Sequence, residues 1–137
     1  MQLNFADAEY KNRRRKTKRE KFLEKMDKTV PWDEWAEKVR PYYPKGIHGR
    51  RPHSIERMLK MYMLRTWFGL SDLGTEEAVY DSYSMKKFMQ LDFFSNEQVP
   101  DSSTLYRFRK LLARTGLDEY FKEESGRLMK ISKIQVP

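Results

Sequence analysis

The sequence contains no cysteine, and only six glycines and six prolines in 137 residues. Without a thiol it can form neither a disulfide framework nor a thiolate metal site, so burial and hydrogen bonding must hold the fold together. So few glycines and prolines disfavour a turn-rich β-sandwich and favour a compact, mostly helical chain. Long apolar runs are lacking too. The longest, around residues 58–70, is broken by Lys60 and Arg65, whereas a membrane span needs about 20 nearly uncharged residues. The opening MQLNFADAEYKNRRRKTKREK carries no apolar segment of signal-peptide length. The expectation is a soluble protein of the cytoplasm with no membrane partner.

What is present is charge, unevenly placed. Charged residues make up 35% of the chain and the net charge is +8. Residues 11–21 hold eight basic residues against one acid, Glu20, which leaves the remainder nearly neutral. A positive field concentrated in one short segment suits a phosphate backbone, because each neutralised phosphate releases condensed counterions. A solvated basic tail with no partner is the plainer alternative.

Apolar periodicity places the helices. Phe22, Leu23, Met26 and Val30 recur at spacings of three and four, and Pro31 stops that helix. A short helix follows from Asp33 to about Val39, with Trp35, Ala36 and Val39 inward. Residues 40–54 read as a loop, with three prolines and two glycines. Ser54 then caps a long helix whose stripe is Ile55, Met58, Leu59, Tyr62, Met63 and Thr66, continued by Trp67 and Leu70, with Gly69 at its end. This helix is apolar around most of its circumference and is expected at the centre of the fold.

After a turn at Ser71–Gly74, two short helices are expected. Thr75 caps the first and Ser84 the second, which carries Met85, Phe88 and Met89. Residues 91–100 read as a loop. Asp101 or Ser102 caps the next helix, which Gly116 terminates, and a last helix runs from about Asp118 to Met129. The predicted fold is all-α, a bundle of about six helices. Residues 1–21 form a basic N-terminal arm, 22–131 a helical domain with a helix-turn-helix-like C-terminal half, and 132–137 a short tail.

Three basic surfaces are the candidate DNA-binding sites. The arm offers Lys11, Arg13, Arg14, Arg15, Lys16, Lys18 and Arg19, and basic arms of this kind lie along the backbone or in the minor groove. The loop offers Lys45, Arg50 and Arg51, with Tyr42 and Tyr43 as weaker contacts. The helix from Ser103 to Arg114 offers Arg107, Lys110 and Arg114 on one face and Arg109 on its flank. Leu105, Phe108, Leu111 and Leu112 face the other way. A helix so built can present arginines to guanine edges and phosphates in the major groove. An ordinary amphipathic surface helix has the same spacing.

No catalytic signature accompanies these patches. His48 and His53 sit in a loop without acidic neighbours, which argues against a metal site. The acids Asp33, Glu34, Glu76, Glu77, Asp118 and Glu119 lie at helix starts, where they serve as caps. There is no Walker loop, dinucleotide fingerprint or HExxH. No cofactor, metal or catalytic residue is therefore assigned.

Five segments carry a family resemblance: MQLNFADAEY with its basic run, the VPW at residues 30–32, YYPKGIHGRRPHSIERMLKMYMLRTWFGLSD, EEAVYDSYSMKKFM and VPDSSTLYRFRKLLARTGL. In order from residue 1 to about 121, the chain resembles the N-terminal region of bacterial transposases of the IS-five insertion-sequence group. The resemblance implies a helical domain that recognises terminal inverted repeats and precedes a ribonuclease-H-like core with an Asp-Asp-Glu metal triad. No position here matches that triad, so the expectation is a truncated transposase or a piece of one, binding double-stranded DNA without cutting it. Self-association or association with full-length transposase is the further partner expected. A stand-alone regulator or inhibitor that binds a protein is the alternative, and co-elution with a partner at high salt separates the two.

Overall fold

A computed structural model describes residues 15–45, 52–91 and 98–137. The described residues form seven α-helices and one 3-10 turn and contain no strand, as the periodicity predicts. The helices are α1 (Lys18–Thr29), α2 (Trp32–Val39), α3 (Ile55–Phe68), α4 (Asp72–Asp81), α5 (Tyr83–Phe88), α6 (Ser102–Thr115) and α7 (Leu117–Ile131), with the 3-10 turn at Arg40–Tyr42.

α3 is the axis. Eight of its residues, from Ile55 to Leu64, are buried, and α2, α4 and α6 pack around it. α1 lies against α5, while α7 folds back on α6 and touches α2. Aromatic rings lock these contacts. Trp35 of α2 stacks on Phe121 of α7 at 4.7 Å, and Phe22 of α1 meets Trp67 and Phe68 edge-on at 5.3 and 5.8 Å. The Trp67 indole N–H donates to Ser125 Oγ at 2.9 Å, so the polar end of this large side chain is satisfied where α3 meets α7.

Two charged side chains are buried among the described residues, Glu20 of α1 and Lys60 of α3. Lys60 retains only 5% of its surface, yet its Nζ donates to Asp27 Oδ1 at 2.7 Å and lies 5.5 and 5.1 Å from the rings of Trp32 and Phe88. The aliphatic stem packs among apolar groups while the ammonium reaches a carboxylate at the edge. Lys60 therefore interrupts the hydropathy of α3 without interrupting the helix.

Two caps differ from the sequence expectation. Residues 71–74 are the opening of α4 rather than a turn before it: Ser71 Oγ accepts from Gly74 N at 2.9 Å and caps the helix. Asp72 then falls in the first turn, where a carboxylate suits the positive end of the dipole. Thr75 is instead internal, and its hydroxyl donates back to Ser71 O at 2.7 Å. Likewise Ser82, not Ser84, caps α5, accepting from Met85 N at 3.1 Å. Ser54 caps as expected, Asp101 rather than Ser102 caps α6, and Gly69 and Gly116 end α3 and α6 at φ of 62° and 76°, where a side chain would be strained.

Candidate nucleic-acid interface

α6 is held at its start by two carboxylates. Asp101 accepts from Thr104 N at 2.7 Å as N-cap, and Glu76 reaches over from α4 to accept from Ser102 N at 2.6 Å. The Thr104 hydrogen bond holds the Asp101 carboxyl below its usual range, and the positive charges of Arg107 and His53 act in the same direction. Leu105, Phe108, Leu111 and Leu112 are buried. The outward stripe consists of Ser103, Tyr106, Arg107, Lys110, Ala113 and Arg114, all exposed and none acidic.

The four α6 cations predicted from sequence fall into two groups. Arg107, Lys110 and Arg114 share the exposed face. Arg107 Nη2 lies 3.3 Å from Thr104 Oγ1, and the Lys110 ammonium lies 5.4 Å from the Tyr106 ring centroid. Arg109 points elsewhere. Its Nε and Nη2 donate to both oxygens of Asp72, at 2.7 and 2.6 Å, and its side chain keeps 28% of its surface. Arg65 of α3 donates to the same carboxylate at 2.9 Å. Asp72 thus joins α3, α4 and α6, and the guanidinium of Arg109 holds its carboxyl well below the usual aspartate value.

Four residues apart on α4, Asp72 and Glu76 engage α6 at Arg109 and Ser102, seven residues apart and in reverse order. The two helices therefore run in opposite senses along their contact. α5 and the residues after it are inserted between them, so the two helices are not joined by the tight turn of a strict helix-turn-helix.

The loop patch is rooted beside α6. The Tyr43 hydroxyl donates to the carbonyl of His53, closing the base of the loop, and the Tyr43 ring meets Phe108 edge-on at 6.2 Å. Burial pushes the Tyr43 phenol up to about 12. Tyr43 is a pin for the loop, whereas Tyr42 is exposed. Lys45 is exposed at the loop's start. Arg50, Arg51 and His48 lie outside the described residues, as do Lys11, Arg13 and Arg14 of the arm.

Of the remaining arm residues, Arg15, Lys16, Lys18 and Arg19 are exposed. Lys18 and Arg19 already belong to the first turn of α1, where Thr17 is the N-cap. Lys16 pairs with Glu24 at 2.9 Å, and the Arg19 guanidinium stands 5.3 Å from the Phe68 ring.

Sequence reasoning passed over Asp72, Ser103 and Tyr106. The register of Ser103 and Tyr106 with Arg107 and Lys110 was visible as i, i+3, i+4 and i+7 spacing. The pairing of Asp72 with Arg109 spans 37 residues and leaves no local signal. Asp101 is a cap and Glu24, Asp27, Glu37, Asp72 and Glu124 pair with cations, whereas Glu76 and Glu77, expected at a helix start, fall inside α4 because that helix already begins at Asp72. Among the described residues no group of three or more His, Asp or Glu is arranged to hold a metal ion. No described helix is long and apolar enough to cross a membrane.

Comparison with known families decides the lineage. The profile of the family described as Transposase domain (DUF772) matches residues 11–111, most of the chain. The chain belongs to this transposase-domain family. No solved structure matches it. In this transposase domain the matched region takes in α1 to α5 and α6 as far as Leu111. Asp72, Glu76, Arg107, Arg109 and Lys110 lie within it, and Arg114 and α7 lie beyond it.

Proposed function

We propose that this transposase domain binds the terminal inverted repeats of a mobile element of the IS-five type, with α6 laid in the major groove of the duplex. The observation that carries the reading is the acid-free exposed stripe of α6, on which Arg107, Lys110 and Arg114 project together. Three long cations on one rigid face meet the requirement for phosphate clamping and for paired hydrogen bonds to guanine. Arg109 takes a different role, fixing the helix to α3 and α4 through Asp72.

The basic loop from Lys45 to His53, including Arg50 and Arg51, extends this surface onto the neighbouring backbone. His53, a described residue at the end of this segment, acts electrostatically on Asp101, the N-cap of α6, and this supports the reading. Lys11, Arg13, Arg14, Arg15, Lys16, Lys18 and Arg19 add non-specific contacts along the phosphates. The role is recognition in the bacterial cytoplasm. Strand cleavage belongs to a carboxylate centre contributed elsewhere, in the same polypeptide or in a full-length transposase joined to it.

The test titrates the purified chain against a duplex carrying the terminal repeat of its own element and against a shuffled duplex of equal composition. Tighter binding to the repeat, falling steeply with salt for both, is expected. Equal affinity for the two duplexes refutes recognition, and co-purification with a protein at high salt without DNA affinity favours a regulatory role.

A further inference from the structure

Two apolar side chains stand exposed where the cationic surface of α6 meets α4. Tyr106 keeps 46% of its surface and Leu73 keeps 54%. Single exposed apolar residues are commonplace, but these two line one open groove of about 540 Å³ with Asp72, Ser102, Ser103 and Arg107. Apolar groups gathered in a groove and rimmed by polar ones mark a contact surface.

Charge decides the occupant. Arg107 borders the groove, and Lys110 and Arg114 continue the same exposed stripe. Asp72 is the acid lining it, and its carboxylate is already bound by both Arg65 and Arg109, so its repulsion of an anion is offset. A polyanion therefore fits here. Along a helix rising about 1.5 Å per residue, the eleven steps from Ser103 to Arg114 cover about 16 Å, comparable with a major groove about 12 Å wide. The apolar group displayed on base edges in that groove is the thymine C5-methyl. Tyr106 and Leu73 present the matching apolar surface, and Ser103 presents a hydroxyl that can donate to or accept from a neighbouring base.

Resting on the DNA-binding reading above, we infer that the groove between α4 and α6 is the base-reading site, with the ring of Tyr106 and the side chain of Leu73 receiving a thymine methyl beside the Arg107 contact. Lys110 and Arg114 then hold phosphates, and specificity resides in the N-terminal half of α6. The competing role for Tyr106 is a platform: its ring lies 5.6 Å from the Arg109 guanidinium and 5.4 Å from the Lys110 ammonium, and it could serve only to steady Lys110 for a phosphate.

The experiment selects duplexes from a randomised library with the wild-type chain, then replaces each dT of the selected site by dU, which removes the methyl alone. Wild type is expected to lose about fourfold in affinity at one or two positions, the value of burying one methyl-sized group. Tyr106→Ala is expected to bind the dT and dU forms equally there, with the wild-type salt slope. Leu73→Ala, a separate exposed site, is expected to reduce the same discrimination. Undiminished discrimination by Tyr106→Ala overturns the inference, and so does a salt slope lower by about one with discrimination intact, which is the signature of a lost phosphate contact. Failure to enrich any sequence defeats the sequence-specific reading as well, whereas enrichment with methyl-blind wild-type binding defeats only this inference.

Discussion

Asp72 grips Arg109 through both carboxylate oxygens, at 2.7 and 2.6 Å, and so ties the first turn of α4 to the middle of α6. Geometry of this kind, two parallel N–H···O bonds from one guanidinium, fixes orientation as well as distance. With Arg65 donating to the same group at 2.9 Å, three helices share one carboxylate. The angle at which α6 presents its cations is set here.

Removing that carboxylate is the first prediction. The three side chains retain 17 to 28% of their surface, between a fully exposed pair worth about 0–1 kcal/mol and a buried pair whose breakage costs about 3–5 kcal/mol. Asp72→Ala is expected to destabilise the fold by about 2 kcal/mol in urea unfolding. It should also weaken repeat-DNA binding more than binding to random duplex, because a loosened α6 loses register before it loses charge. Unchanged stability would show that the linkage does not position the helix.

The buried ammonium gives a second prediction with opposite outcomes for its two partners. Lys60→Met replaces a long stem with an apolar one and is expected to leave the melting temperature unchanged or raised, since buried ion pairs are often no better than apolar packing. Asp27→Ala leaves the ammonium, 5% exposed, without its carboxylate and should lower the melting temperature by several degrees. A large loss in Lys60→Met would mean that the charge itself is required.

Stability should peak on the acid side of neutrality. A hydrogen bond with Asp33, together with burial and the charge of Asp33, raises the Glu56 carboxyl above its ordinary 4.5. The folded state therefore binds more protons at this site than the unfolded chain, and stability falls as pH rises from 4.5 through the raised value. Asp72 has the reverse sign: its value is held below 3.8 by Arg109, so its contribution is present above that value and lost as pH falls through the lowered one. Thermal melts across pH 3 to 8 are expected to show a maximum between these windows. Glu56→Gln should flatten the neutral limb and leave the acid limb in place.

Much of this architecture was legible in the chain. Met58, Leu59, Tyr62 and Met63 announced a central helix because apolar residues recur with its period. Asp101 and Ser54 announced caps because their side chains act on amides three residues on. Such signals are local. What stayed hidden was long-range or locally ambiguous. Ser71 and Thr75 are both acceptable N-caps, and only packing decides that Ser71 Oγ meets Gly74 N. Arg109 looked like one more cation on α6 because nothing near it in sequence reveals Asp72. Tyr106 carries no charge, so a reading that followed the cations of α6 passed it over, although it stands on the same outer face.

Salt dependence separates the cations that face DNA from those that hold the fold. For duplex DNA the slope of log affinity against log salt is about −0.9 per phosphate neutralised. Lys110→Ala and Arg114→Ala should each lower that slope by about one. Lys60→Met, altering a buried charge, should leave it unchanged. A slope insensitive to Lys110 and Arg114 would remove them from the interface.

The most direct measurement is paired footprinting of the chain on the terminal-repeat duplex, with dimethyl sulfate reading guanine N7 in the major groove and hydroxyl radical reading the backbone. Protection of a short run of guanines by wild type, lost in Arg107→Ala while backbone protection persists, is the result expected if α6 reads that groove. Footprints confined to the backbone or minor groove, identical in wild type and Arg107→Ala, would contradict it.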